Sequence, residues 1–203
     1  MNNQTNLTLN PFKAFNDEWA LVTCGTKEKY NCMTVEWGGL GYLWHMNVAT
    51  IYVKPIRYTC DFLLKNEYFT ISFFDEEYRD DLKILGTKSG RDCDKLALTK
   101  LTPNVKDNYV TYNQANKTII CKKKYMSQFD PNAVPEDIHK HYYEIEAEHY
   151  IIIGEVVEIQ ENNKTIYKRN EDWWSLHFKL IFLIFYLILE YLFLMYYTQY
   201  LNQ

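Results

Sequence analysis

The hydrophobic positions of this chain come in short runs separated by polar turns, which is the pattern of strands rather than of long helices. ALVTCG (Ala20 to Gly25) is apolar, TKEKY after it is polar, and NCMTVEW returns as a second apolar run, which predicts a hairpin. VATIYVK (Val48 to Lys54) is rich in β-branched residues and ends at Pro55. The period then changes. In RYTCDFLLKN, Cys60, Leu63 and Leu64 fall on one helical face and Asn66 is a stop signal. YFTISFF (Tyr68 to Phe74) predicts another strand, and EEYRDDLKILG a helix with acids in its first turn and Gly86 at its end. GTKSGRDCDK is turn-rich and leads into a short helix around KLALTKL. KTIICKKKYM and HYIIIGEVVEIQ are two more strands, and KTIYKR a last one. NCMTVEWGGLGYLWH (Asn31 to His45) continues the second strand into what reads as a loop rich in glycine and tryptophan. Many short strands with only short helices predict a mainly-β fold, a closed antiparallel barrel with helices plugging its ends.

After Asn170 the pattern changes again. WWSLHFKLIFLIFYLILEYLFLMYYTQYLNQ is almost wholly Leu, Ile, Phe and Tyr, and between Leu180 and Tyr197 only Glu190 is charged. The run is long enough to cross a bilayer, and Trp173-Trp174 and Tyr196-Tyr197 flank it as interfacial aromatics do, whereas an interior acid opposes a span. A membrane-anchoring helix, a helix packed on a partner subunit and a non-native extension remain open. The expected organisation is therefore a barrel domain over residues 1–170 and a C-terminal hydrophobic helix within 171–203.

Composition narrows the function. The formal net charge is −4, which argues against a nucleic-acid partner, and Lys122-Lys123-Lys124 reads as a solvated strand end. Five cysteines, an odd number without a CxxC pair, follow an N-terminus (MNNQTNLTLNPF) that lacks the basic and apolar regions of a secretory signal. Reduced thiols and a cytoplasmic location are expected, with residues 180–197 as the one feature that points to a membrane. A zinc site from Cys24, Cys32 and His45 lacks the usual paired spacing. His139, His141 and His149 lie among acids in HKHYYEIEAEH, again without metal-ligand spacing, so no metal is expected.

Familiar catalytic motifs are missing. Gly38, Gly39 and Gly41 do not give the G-x-G-x-x-G spacing, and no G-x-x-x-x-G-K-[ST], G-x-S-x-G or H-E-x-x-H occurs. Three other stretches form a constellation. In NCMTVEWGG, Asn31 offers an amide, Thr34 a hydroxyl and Trp37 a flat face. In PIRYT, Arg57 and Thr59 stand at the start of a predicted helix, where a guanidinium and helix amides favour a phosphate. In GTKSGRDCDK, Ser89, Gly90 and Lys95 lie in or just after a tight turn, with a cation and a glycine for close backbone approach. Taken singly, Trp37 is more often core, Arg57 a surface ion pair and the turn merely a loop. Together they offer a stacking surface, amide-type hydrogen bonds and a phosphate clamp, which is what flavin mononucleotide (FMN) requires.

The order NCMTVEWGGLG, VKPIRYTCDFLLKNEYFTISFF, GTKSGRDCDKL and HYIIIGEVVEI, spread from about Pro11 to Ile159, resembles the flavin reductase-like family of FMN-binding split barrels, the group that includes flavoredoxin. The resemblance implies a Greek-key split β-barrel and a homodimer with FMN near the subunit interface. It implies that Asn31, Thr34 and Trp37 line the isoalloxazine, that Arg57 and Thr59 meet the phosphate region, and that Ser89, Gly90 and Lys95 close the site. His149 resembles the family's histidine near the flavin. No catalytic acid or base is implied, because the redox chemistry belongs to the cofactor. Three functions compete: a flavin reductase fed by NAD(P)H, an FMN electron carrier that exchanges electrons with a partner protein, and a membrane-tethered interaction protein. No separate nicotinamide motif decides the donor.

Overall fold

The computed structural model of the protein describes residues 7–169. The hydrophobic tail, including the expected spanning segment 180–197, lies outside the described residues. Among the described residues, no helix is long and apolar enough to cross a membrane.

The chain enters through helix α1 (Pro11–Asn16), which starts as helix signals prescribe. Pro11 needs no amide partner there, and the Asn10 side chain accepts from the amides of Phe12 (3.1 Å) and Lys13 (3.4 Å). Four strands follow: β1 (Ala20–Gly25), β2 (Tyr30–Val35), β3 (Gly38–Leu43) and β4 (Met46–Val53). Helix α2 (Tyr58–Lys65) ends at Asn66, and β5 (Tyr68–Phe73) leads through a 3-10 turn into α3 (Arg79–Thr87). The short hairpin β6 (Pro103–Val105) and β7 (Val110–Tyr112) precedes the long strand β8 (Lys117–Gln128). Helix α4 (Glu136–Tyr142), β9 (Tyr150–Glu161) and β10 (Lys164–Lys168) complete the domain.

The main sheet is antiparallel throughout and runs β2-β1-β5-β8-β9-β4-β3, with β10 added to β9. The β8–β9 register shifts twice, with Val157 the extra residue in β9 opposite Ile120 and Cys121, and Lys124 the extra residue in β8 opposite Gly154 and Ile153, and such bulges bend the strands. The expected closed barrel is corrected in one respect. β2 and β3 are both ends of the hydrogen-bonded order, so the sheet curls but stays open along a seam. Helices and loops cover that seam and leave room for a cleft.

Two apolar clusters hold the domain. Val22, Ile51, Phe69, Ile71, Phe73, Ile119 and Ile152 fill the barrel, with Phe15 of α1 and Leu63 of α2 closing its ends. Leu21, Cys32, Phe74, Leu82, Leu85 and Tyr112 form the second cluster, between the sheet and α3. β1 separates the two, which is why ALVTCG shows no alternation: every one of its residues is buried. The cysteines are free thiols. Cys24 and Cys32 belong to different clusters, and His45 sits in an exposed turn, so the three cannot share a metal.

The segment Asn31 to His45 is not a loop. It is β2, a two-residue link, β3 and then a turn at Trp44 and His45, whose φ values of 50° and 58° are those of a tight hairpin turn. Glycines hid this strand by weakening its β signal. Gly38 is there for a packing reason. A Cβ at that position would lie 2.3 Å from Cε1 of Phe15, whose ring is buried edge-on against Phe73, with centroids 5.6 Å apart. Helix α3 also departs from expectation, running through Gly86 to Thr87.

Because the Phe15 ring has no room to retreat, Gly38→Ala is expected to lower stability by about 1–3 kcal/mol, the usual cost of overpacking. Gly39 has nothing within 4 Å of an added Cβ, so Gly39→Ala is expected to stay within about 0.5 kcal/mol of the parent. Urea unfolding midpoints of the two variants provide the comparison.

Candidate functional site

Three segments meet at Asn31 of β2. Its Nδ2 donates to Thr59 Oγ1 of α2 (2.8 Å) and to the Cys32 carbonyl (3.2 Å). On its other side the chain passes so close that a Cβ on Gly90 would stand 2.1 Å from Asn31 Oδ1. Only glycine fits there, so the 88–95 segment is seated on Asn31 by backbone contact. Asn31 and Thr59 are both buried.

The C-terminus of α3 forms the next wall. Helix ends leave carbonyls without partners. Here Lys95 Nζ takes the carbonyls of Leu85 (2.7 Å) and Lys88 (3.1 Å), and Arg57 Nη1 takes that of Gly86 (3.2 Å). These caps explain why α3 does not stop at Gly86. Thr34 ties the helix to β2 by donating its hydroxyl to the Leu82 carbonyl at 2.5 Å. Lys95 is only 5% exposed, and burial lowers its pKa.

Opposite lies an aromatic wall. Trp37, in the β2–β3 link, is tilted against His149 with centroids 4.8 Å apart, and meets the edge of Tyr142 of α4 at 5.3 Å. His149 is 8% exposed, and its Nδ1 is 3.1 Å from the Tyr143 hydroxyl. Burial, with Lys54 and Arg57 adding like-charge repulsion, brings its pKa down to about 4, although Glu146 pulls the other way. Lys54 pairs with Glu146 and so ties β4 to the segment before β9.

These walls enclose a cleft of about 860 Å³, in the range of roughly 300–1,000 Å³ typical of ligand pockets. All nine residues singled out from the sequence line it: Asn31, Thr34, Trp37, Arg57, Thr59, Ser89, Gly90, Lys95 and His149. They are not equivalent. Trp37 and Arg57 are exposed to it, whereas Asn31, Thr34, Thr59 and Lys95 direct polar atoms into the fold and shape the cleft. Lys95 is thus less a clamp than a helix cap.

Among the lining residues that sequence reasoning missed are Lys54, Tyr58, Arg91 and Tyr142. Arg91 stands in the quoted turn beside Gly90 and had the same signal. Its guanidinium bonds to Ile56 O and Asp61, both at 2.9 Å, and lies 4.8 Å from the centroid of Tyr58. Tyr142 carried no signal, because only the fold brings α4 to Trp37. His139 bonds instead to Glu148 (3.2 Å), and His141 meets Tyr142 edge-on with centroids 4.4 Å apart. Among the described residues, no group of three or more His, Cys, Asp or Glu could hold a metal.

The charge of the cleft opposes that of the chain. Its lining holds six basic residues (Lys54, Arg57, Lys83, Lys88, Arg91, Lys95) and three acidic ones (Glu36, Asp92, Glu146), in a protein of net charge −4. That arrangement attracts a small anion and leaves the surface as a whole repellent to one.

A family model described as the flavin reductase like domain matches residues 12–171. Among solved structures, the chain is similar to a flavoredoxin from Methanosarcina acetivorans, with 16% identity, 81% of this chain and 78% of that chain covered, and a TM-score of 0.57. It is similar to an FMN-binding protein from Thermus thermophilus with bound 1-cyclohex-2-enone (20% identity, 78% and 80% covered, TM-score 0.56). It is also similar to the styrene monooxygenase flavin reductase from Pseudomonas putida (14% identity, 71% and 79% covered, TM-score 0.53). No curated protein matches.

The depressed pKa of His149 has a consequence for stability. In the unfolded chain this side chain takes up a proton as pH falls through 6.5, whereas in the folded chain it stays neutral until about 4. Its contribution is therefore complete above pH 6.5 and is lost progressively down to pH 4, by up to about 3 kcal/mol. Urea unfolding across that window should show the loss in the parent, and a markedly smaller one in His149→Asn.

Proposed function

The chain belongs to the flavin reductase-like family, and on that premise we propose that it is an FMN-dependent oxidoreductase passing electrons from a reduced nicotinamide to flavin, ferric or other acceptors. The observation that carries this reading is the cation-rich cleft with an aromatic wall at one end, in an acidic protein. FMN is a flat ring joined to a phosphate, and the donor set fits it at both ends. The names of the similar structures, an FMN-binding protein and two flavin-linked redox proteins, support the same ligand class.

In this reading Trp37 and His149, on the floor laid by Asn31 and Thr34, would hold the ring portion. Arg57, at the start of α2 above Thr59, would take the phosphate, and Ser89 and Gly90 would close the cleft while Lys95 keeps the end of α3 in place. When bound, FMN supplies the electron chemistry. The chain binds and orients, and it excludes water with the Trp37, Tyr142 and His149 wall. A neutral His149 keeps that wall uncharged. We further take the protein to act as a homodimer in the cytoplasm.

Similarity to a flavoredoxin favours a second reading, in which the same site carries electrons to and from a partner protein. Stopped-flow mixing under anaerobic conditions separates the two. Rapid loss of flavin absorbance on addition of NADH or NADPH is the expected result. Loss only with a reduced protein donor such as ferredoxin would replace the enzyme by the carrier.

Purified protein should be yellow and should release FMN, not FAD, on denaturation. Arg57→Ala should weaken FMN binding by about 1.5–3 kcal/mol, roughly 10- to 150-fold, the range for a hydrogen bond to a charged group. Riboflavin, which lacks the phosphate, should be nearly indifferent. Calorimetric titration of both ligands reads the difference, and equal losses would move Arg57 out of the phosphate site.

A further inference from the structure

The β3–β4 hairpin outruns the sheet that carries it. β4 pairs with β9 only from Val48, opposite Glu155, to Val53, whereas β3 and β4 stay paired out to Leu43 and Met46. Residues Tyr42 to Asn47 therefore project beyond the sheet as a two-stranded tip. Its end holds Tyr42, Leu43 and Trp44, which are 64%, 36% and 55% exposed. None of the three belongs to either apolar cluster, and none lines the cleft.

The turn makes this placement costlier still. Both of its central residues have positive φ, Trp44 and His45. A two-residue turn of that kind favours Asn-Gly, and a bulky side chain is strained in it. Neither the fold nor the flavin site accounts for a tryptophan that is both strained and in water. Such an outlier points to a role outside the fold.

The sheet register shows what lies next to the tip. β8 holds one edge of β9 along its whole length, so β10 and β4 share the other. β10 runs along that edge from Lys164, opposite Glu161, to Lys168, opposite Glu158, and so heads for the start of β4. The chain leaves the domain on the side from which the tip projects, and the apolar residues 180–197 come soon after in sequence. Lys168 adds an exposed cation there, suited to a phospholipid headgroup.

Size decides between a lipid and a protein partner. At roughly 200 Å² for a whole aromatic side chain, the three residues expose on the order of 300 Å². Each partner in a stable protein interface gives about 800 Å². A bilayer sets no such minimum, because single Trp and Tyr side chains settle at its polar boundary. We propose that the β3–β4 tip is a membrane-contact element, with Tyr42, Leu43 and Trp44 entering the headgroup region of a lipid bilayer. The proposal does not depend on the flavin reading.

Full-length protein carries the test, with vesicles of phosphatidylcholine and phosphatidylserine as the probe. Cys93 is the exposed cysteine and the other four are buried, so Cys93→Ser with Tyr42→Cys leaves one reactive thiol, at the tip. A polarity-sensitive fluorophore on it should shift to shorter wavelength when vesicles are added, and bromine on the lipid chains should quench it. Trp44→Asn with His45→Gly, introduced beside the label, supplies the residues that the turn prefers. It should hold or raise the urea midpoint and leave bound flavin unchanged, yet lose the shift and the quenching. That combination separates a lipid contact from a structural role. A label that stays in water on vesicle-bound protein means that another part of the chain holds the membrane, and overturns the proposal. Full-length protein that leaves the vesicles unbound overturns it as well. A shift that appears without vesicles and grows with protein concentration assigns the tip to a second copy instead. Quenching that survives in the turn variant removes Trp44 as the anchor, and the proposal with it.

Discussion

The cleft hangs on the side chain of Asn31. A buried amide has to satisfy its donors locally, and this one does so by bonding to the next carbonyl and to Thr59 of α2, 28 residues further on. Its donors fix Thr59 and with it the start of α2. Its oxygen sets the closest approach of the 88–95 segment, which can come no nearer than the missing side chain of Gly90 allows. Strand β2 would be a weak anchor as an edge strand, but its full pairing with β1, including Cys24 opposite Asn31, makes it a rigid one. One amide on a well-paired strand therefore sets how close the 88–95 segment can come to β2.

The second constraint is electrostatic. The C-terminal end of α3 and the N-terminal end of α2 approach the same cleft with opposite partial charges. A cation between them is favourable on one side only, so its side chain turns toward α3. Arg57 and Lys95 do this, bonding to the Gly86, Leu85 and Lys88 carbonyls. Burial of the Lys95 ammonium is offset by those carbonyls only in part, as its lowered pKa indicates. The cations around the cleft thus divide in two. Lys95 and Arg91 are bound up in holding the walls, while Arg57 is exposed and has guanidinium donors beyond the one on Gly86.

That division marks the limit of what was legible beforehand. Strands such as Tyr68–Phe73 and Tyr150–Glu161 could be read from their apolar runs, and the helix over Tyr58–Lys65 from Cys60 and Leu63, although Leu64, expected on the same face, is 53% exposed and Phe62 is buried in its place. The strand Gly38–Leu43 could not, because its glycines answer to Phe15 in a distant helix rather than to local propensity. The hairpin Pro103–Tyr112 is too short to carry a period. At the site, residue type and order picked out part of the lining, since Asn31, Arg57 and Gly90 each had a chemical signature, but left Lys54, Tyr58 and Tyr142 unnamed. Direction was not legible. Whether Lys95 faces a ligand or a helix end depends on where α3 stops, and whether His149 is charged depends on Trp37 and Tyr143 closing over it.

Direction then gives the cleft a polarity. At the α2 end stands the exposed Arg57, beside Arg91 and the 88–90 turn. At the other end the lining is Trp37, Tyr142 and a histidine held neutral, and the nearby Lys54 is matched by Glu146. An ionised group is costly in an enclosed apolar site and cheap beside unmatched cations. A ligand with one flat uncharged end and one anionic end can therefore lie in this cleft in a single sense. Reversal would put the anion against the aromatic wall, away from the exposed guanidinium. The orientation follows from the unequal pairing of Lys54 and Arg57, and not from any one hydrogen bond to the ligand.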